Sequence, residues 1–221
     1  MSLCHKQSIK CPKCREENEF TIWRSINTML DPECKEKVRT RDLFQFVCPD
    51  CGNKAEVDYG FLYHQMEDEY MIYYVGDEDT KQAKESFDST RNNEPLSVFA
   101  DHYIYRIVTS KQQLLDKLNI FDRGYDDRIV EIMKLLILLQ HYEQNDLQNV
   151  DEMFYHRNKD GSDGFVLFSE RNYVCDISVS NKLYQVLAEH YQPILGENNA
   201  TEYIIDQEWA KSVLHLNAEE A

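Results

Sequence analysis

Four cysteines arranged as two copies of one motif carry the clearest chemistry in this chain. Cys11-Pro12-Lys13-Cys14 and Cys48-Pro49-Asp50-Cys51-Gly52 form matched half-sites. A Cys-x-x-Cys turn aims two thiolates at one point, and two such turns supply the four soft ligands that tetrahedral zinc prefers. A single Cys-x-x-Cys would also suit a redox dithiol. Proline recurring at the second position, with glycine after the second half-site, is instead the tight-turn chemistry of a ribbon-type zinc knuckle. The expected ligands are therefore Cys11, Cys14, Cys48 and Cys51. The same motif can hold iron in a rubredoxin-like site, which keeps electron transfer open as a minor alternative.

The remaining cysteines, Cys4, Cys34 and Cys175, leave an odd total of seven. That number suits a reducing, cytoplasmic compartment better than a disulfide framework. The polar start of the chain does not read as a signal peptide, and no apolar run approaches the ~20 residues of a membrane span, so a soluble protein is expected. Cys4 and His5, close to the chain start, are expected to fray and receive no ligand role.

The formal net charge is -16. Residues 1–76 carry 10 basic and 13 acidic groups, and residues 77–221 carry 14 and 27. Neither part is basic, and a tetrathiolate around a divalent ion adds about two negative charges. Lys6, Lys10, Lys13, Arg15, Lys35, Lys37, Arg39 and Arg41 could form a local basic patch. The overall charge nevertheless argues against nucleic acid and for a protein partner.

Three elements must position the cysteines. Glu19–Asn27 alternates as a half-buried strand leaving the first turn. Asp31-Pro32 has the order that caps and opens a helix, with Cys34 and Val38 on its inner face as core residues. Leu43–Val47 alternates as a strand entering the second turn. The helix fills the 33 residues between Cys14 and Cys48, and loop closure tolerates that length at ~0.6 kcal/mol per doubling. Ala55, Val57 and Tyr59 alternate again, and Tyr70–Val75 is a strand. A small, mostly-β, zinc-ribbon-like domain over 1–76 follows, with the ion as part of its core, so that losing a ligand should unfold all of it.

Residues 77–94 are charged or small and polar and lack apolar periodicity, which predicts a linker or mobile segment over 77–99. Residues 100–221 read as an α+β domain. Tyr103–Thr109 is a strand, and Ser110–Gln113 has capping-box spacing ahead of a helix that Gly124 stops. Asp126 or Asp127 caps the next helix, which is apolar nearly all round from Ile129 to Leu139 and should be the domain core. Met153–Arg157 and Gly164–Phe168 make a hairpin, and Tyr173–Val179 a third strand. Ser180 caps a helix, Tyr203–Ile205 is a short strand, and a last helix runs from Asp206 to Leu214. Residues 217–221 are expected to be disordered. The fold class is α+β.

A resemblance now becomes specific. Cys11-Pro12-Lys13-Cys14, Trp23-x-Ser25-Ile26-Asn27, Leu30-Asp31-Pro32-Glu33, Phe44-x-Phe46-x-Cys48-Pro49-x-Cys51-Gly52, Asp58-Tyr59 and Leu62-Tyr63-His64 resemble, in that order, the bacterial CpXC protein family. Arg106-Ile107-Val108, Gly124-Tyr125-Asp126-Asp127-Arg128 and Glu131-x-x-Lys134 are similar to the carboxy-terminal part of its longer members. The resemblance implies zinc on Cys11, Cys14, Cys48 and Cys51 and implies no reaction. The chain departs from the pattern twice. Arg15 stands where a knuckle often has glycine, which should loosen the first turn, and Cys34 replaces an apolar residue.

Other constellations are weaker. Residues 158–164 look superficially like a calcium loop, but Asp163 stands where glycine is needed and Ser169 where glutamate is needed, so a hairpin turn is expected. Asp126, Asp127 and Glu131, with His64 or His102 as base, are the minimum for metal-assisted hydrolysis in a cleft between the two parts. Capping and the helix dipole explain the same acids without catalysis. His156 and His190 read as structural histidines whose ring nitrogens are satisfied. The reading of function is a non-enzymatic zinc protein that serves as an interaction or adaptor module, with the hydrolase around Asp126 and Asp127 as its alternative.

Overall fold

Each cysteine turn is the loop of a β-hairpin. In the computed structural model, which describes residues 2–93, 102–143, 150–196 and 202–216, β1 (Leu3–Lys10) pairs antiparallel with β2 (Glu17–Asn27), and β3 (Gln45–Val47) with β4 (Lys54–Glu56). Cys4 and His5 are thus not frayed: they pair with Trp23 and Ile22. Strand β1 lies at the sheet edge and is exposed along most of its length. It therefore lacks the one-sided apolar alternation by which strands are recognised.

The chain forms two compact units, Met1–Ser110 and Lys111–Ala221. The first contains a five-stranded sheet of order β1-β2-β5-β6-β7, where β5 is Phe61–Gln65, β6 is Tyr70–Tyr74 and β7 is Ile104–Val108. Parallel pairing of β2 with β5 and of β6 with β7 demands long crossovers. The first crossover carries α1 (Pro32–Arg39) and the β3–β4 hairpin. Pro32 opens α1 and Cys34 and Val38 are fully buried, but Asp31 makes no side-chain cap hydrogen bond. The expected strand at Leu43–Val47 begins instead as a 3-10 turn over Asp42–Phe44, so that Leu43 and Phe44 are both buried rather than alternating.

The second crossover overturns the expected linker. Residues 77–93 hold a 3-10 turn (Asp77–Asp79) and helix α2 (Thr80–Arg91), while 94–99 lie outside the described residues. Two apolar side chains suffice to seat α2: Ala83 and Phe87 are buried, and the Phe87 ring lies 4.9 Å from both Tyr73 and Tyr105. Strand β7, expected to open the second domain, completes the first sheet instead. Its core includes an aromatic cluster in which Phe44 meets Tyr59, Phe61 and Tyr74 at 5.4–6.0 Å between centroids.

The second unit packs helices on an antiparallel sheet of order β10-β9-β8, with β8 at Glu152–Arg157, β9 at Asp163–Ser169 and β10 at Asn172–Val179. Its helices are α3 (Lys111–Asp122), α4 (Asp127–Glu143), α5 (Asn181–Leu195) and α6 (Gln207–Val213). As its composition required, α4 is buried on two sides. Ile129, Val130, Met133 and Ile137 share a core with Met153, Tyr155, Phe165 and Leu167, while Ile132 and Leu135 pack with Ala210 of α6. Asp126 accepts from the Arg128 N–H, Ser180 from Lys182 and Asp206 from Trp209, capping α4, α5 and α6. Tyr203–Ile205 is not a strand and joins no sheet among the described residues. Tyr203 and Ile205 are buried, and the Ile205 carbonyl accepts from Lys117 Nζ at 2.7 Å. Residues 217–221 lie outside the described residues. Both units mix helices and strands, and the fold is α+β.

Candidate metal centre

Register makes the two cysteine turns equivalent. Lys10 pairs with Glu17 and Val47 with Lys54, so residues 11–16 and 48–53 are hairpin loops of the same length. The first cysteine N–H of each loop donates to the residue five positions on, Cys11 to Glu16 and Cys48 to Asn53, both at 2.9 Å. The residue after each second cysteine donates back: Arg15 N–H to the Cys11 carbonyl at 3.0 Å and Gly52 N–H to the Cys48 carbonyl at 2.9 Å. Both of these residues are left-handed, at φ 71° and 69°. The Arg15 turn is therefore not loosened. An arginine there adopts the glycine conformation at a cost of about 1–2 kcal/mol.

The loops face each other with their sulfurs converging. Cys11 Sγ lies 3.6 Å from Cys51 Sγ, Cys14 Sγ lies 3.6 Å from Cys48 Sγ, and all four sulfurs lie within 4.8 Å of one another. Tetrahedral zinc, with Zn–S near 2.3 Å, needs sulfurs about 3.8 Å apart. All seven cysteines are free thiols. The four clustered cysteines can hold a metal ion, and the two 3.6 Å contacts fit one of zinc's size.

Surroundings act on the thiols in opposite directions. Backbone N–H groups, that of Cys14 foremost and that of Lys13 next, lower the Cys11 thiol to about 6 against the opposing effect of burial. Burial raises the Cys48 thiol. At Cys14 the Glu16 N–H favours thiolate, but burial and hydrogen bonds with Cys51, Cys11 and Cys48 outweigh it and push the thiol up to about 12. Cys11 thus favours its thiolate, and a cation at the centre would offset burial at Cys14 and Cys48. Behind the sulfurs, Cys11 and Cys48 share a core with Phe46, flanked by Ile9, Phe20, Ala55 and Val57. Asn18 Nδ2 lies 3.9 Å from Cys48 Sγ and donates to Asp50 Oδ2 at 2.8 Å, tying β2 to the second loop. Nothing in the sequence distinguishes Asn18, because its partners come from the other hairpin.

The other cysteines stand apart from this cluster. Cys34 is fully buried on α1, and burial pushes its thiol up to about 11. Cys4 is exposed and Cys175 half-buried on β10.

The carboxylates of the expected cleft are each paired with a cation. Asp126 forms a fork with Arg128, with contacts of 2.7–3.1 Å, and Asp127 is fully buried against Lys117 Nζ at 2.9 Å. Lys117 also pairs with Glu131 at 3.3 Å, and Lys134 joins Glu131 at 2.9 Å to Asp116 at 2.6 Å. Asp116 in turn accepts from the Tyr155 N–H. These five charged side chains link α3, α4 and β8 within the core. His64 Nε2 lies 3.1 Å from the Tyr103 hydroxyl. Residues 158–162 make the expected hairpin turn, in which the Asn158 N–H donates to the Ser162 carbonyl. Asp163 points inward to the hydroxyls of Tyr125 and Tyr155 and to Arg123 Nε. His156 Nε2 is buried and has no hydrogen-bond partner among the described residues, unlike the satisfied histidine expected.

The model of the CpXC protein family matches residues 9–134. No curated protein and no solved structure matches the chain. The matched stretch contains both hairpin loops with their four converging cysteines, together with the Asp126–Lys134 segment, and spans more than half of the sequence. This chain belongs to the CpXC protein family.

Proposed function

We propose that the protein is a zinc-binding adaptor in which Cys11, Cys14, Cys48 and Cys51 hold one structural Zn²⁺ and the molecule docks an as yet unidentified protein partner. The observation that carries the metal reading is the pair of equivalent hairpin loops whose four sulfurs lie within 4.8 Å of one another. Thiolate ligands in a closed set of four are the donor chemistry of structural zinc, whereas a catalytic site keeps a position open for water or substrate. The role of such an ion is to join two hairpins: without it, four thiol groups would meet with no cation to share.

Several features support docking over chemistry. Asp126, Asp127 and Glu131 are spent on pairing with Arg128, Lys117 and Lys134. The net charge of -16 disfavours phosphate backbones and suits a partner with basic surface. Among the described residues no helix is long and apolar enough to cross a membrane. Cytoplasmic expression followed by elemental analysis and affinity capture tests the reading. One equivalent of zinc, no visible absorption, and a stoichiometric protein partner whose binding weakens with salt are expected. A red, iron-loaded protein would replace the adaptor with an electron carrier.

A further inference from the structure

Burial alternates within the cluster. Cys11 and Cys48 are closed to solvent, at 0 and 1 % exposed, while Cys14 and Cys51 are half-buried and reachable. The two 3.6 Å sulfur contacts each join one sulfur of each kind across the loops, Cys51 to Cys11 and Cys14 to Cys48. We infer that Cys14 and Cys51 are oxidation sites for small hydroperoxides, each resolved by its buried neighbour in the other hairpin, so that oxidation expels the metal while stitching the two hairpins together. The inference rests on the metal reading above.

The chemistry balances in two steps per pair. The thiolate of Cys51 attacks one peroxide oxygen, the O–O bond breaks, and the products are a Cys51 sulfenic acid and hydroxide. The Cys11 thiolate then attacks that sulfur, forming the S–S bond and releasing a second hydroxide. Each sulfur loses one electron and each peroxide oxygen gains one. Cys14 and Cys48 repeat the sequence, so two peroxides consume four thiolates, leaving a site with no anionic ligands and freeing the divalent ion. Accessibility selects where attack begins, since a peroxide reaches Cys14 and Cys51 but not Cys11 or Cys48. The 3.6 Å contacts put a buried cross-loop partner within reach of each. Bonds of this connectivity keep β1–β2 tied to β3–β4 after the ion leaves, whereas bonds within each Cys-x-x-Cys would leave the hairpins unconnected.

The full chain, its zinc content measured first, is titrated with hydrogen peroxide while a chromogenic chelator reads released zinc and peptide mass spectrometry maps the disulfides. The expected result is full zinc release at about two peroxides per chain, with Cys11–Cys51 and Cys14–Cys48 as the dominant bonds. In Cys11→Ser, which removes one resolving thiol, a sulfenate-trapping dione should label Cys51 severalfold more than wild type. Zinc retained at ten peroxides per chain, bonds joining Cys11 to Cys14 and Cys48 to Cys51, or dione labelling that favours Cys48 over Cys51 would each overturn the inference while leaving the metal reading intact. A chain that carries no zinc before peroxide is added fails the metal reading, and the release step with it.

Discussion

Arg15 and Gly52 hold the same left-handed backbone conformation, φ 71° and 69°, and each donates its N–H to the carbonyl of the first cysteine in its own loop. Only one of them is the residue type suited to it. A Cβ at Gly52 would meet nothing within 4 Å, so substitution there is penalised by backbone strain alone. Gly52→Ala should therefore lower the stability of the metal-loaded first unit by about 1–2 kcal/mol. Arg15→Gly should raise it by up to about 1 kcal/mol, since added chain entropy offsets part of the relief. Denaturant unfolding of both variants checks the opposite signs.

The buried ion pairs of the second unit should behave as a unit. Lys134 bridges Asp116 and Glu131, all nearly inaccessible. Lys134→Met keeps most of the volume but leaves two buried carboxylates without their shared cation, which costs about 3–5 kcal/mol. A urea titration followed through Trp209 fluorescence, on α6, should show an earlier transition.

Asp163 should make the same unit acid-sensitive. Burial works against its ionised form, but hydrogen bonds from the hydroxyls of Tyr155 and Tyr125 and from Arg123 outweigh it, holding the carboxyl below its usual range. A depressed carboxylate contributes stability that is complete above its unfolded value of about 3.9 and is lost as pH falls through the lower folded value. Thermal melts between neutral pH and about pH 3 should show a steeper fall for wild type than for Asp163→Asn, whose side chain does not titrate.

Loss of the metal should melt part of the first unit rather than all of it. The sequence reading made the ion central to a domain of residues 1–76, yet the unit extends to Ser110 and contains Phe44, Phe61, Tyr63, Ile72 and Phe87 buried away from the sulfurs. In Cys48→Ser, hydrogen exchange should quicken across residues 11–16 and 45–56 while β5 and β6 stay protected. Uniform loss of protection to Tyr74 would restore the original expectation.

The parts of this fold that were legible are those whose signal is local. Paired Cys-Pro-x-Cys turns, Pro32 at a helix start, Gly124 at a helix end and the apolar run of α4 each declare themselves within a few residues. Helix α2 was hidden because Ala83 and Phe87 are its buried residues among charged and polar neighbours, too few to set a period. Strand β1 was hidden because an exposed edge strand has no buried face to advertise. The 3-10 turn at Asp42–Phe44 depends on Arg41 adopting φ 63°, which no residue type there predicts. At the candidate metal centre the four cysteines that cluster could be read from spacing, but Asn18 and the cross-loop sulfur contacts arise only when the hairpins meet.

The most direct test of the central claim is the zinc stoichiometry of the full chain, set beside Cys48→Ser and Cys175→Ser purified in the same way. One equivalent in the wild type and in Cys175→Ser, with loss in Cys48→Ser, is the predicted result. A metal-free wild-type chain, or a full equivalent of zinc in Cys48→Ser, would contradict a four-cysteine centre.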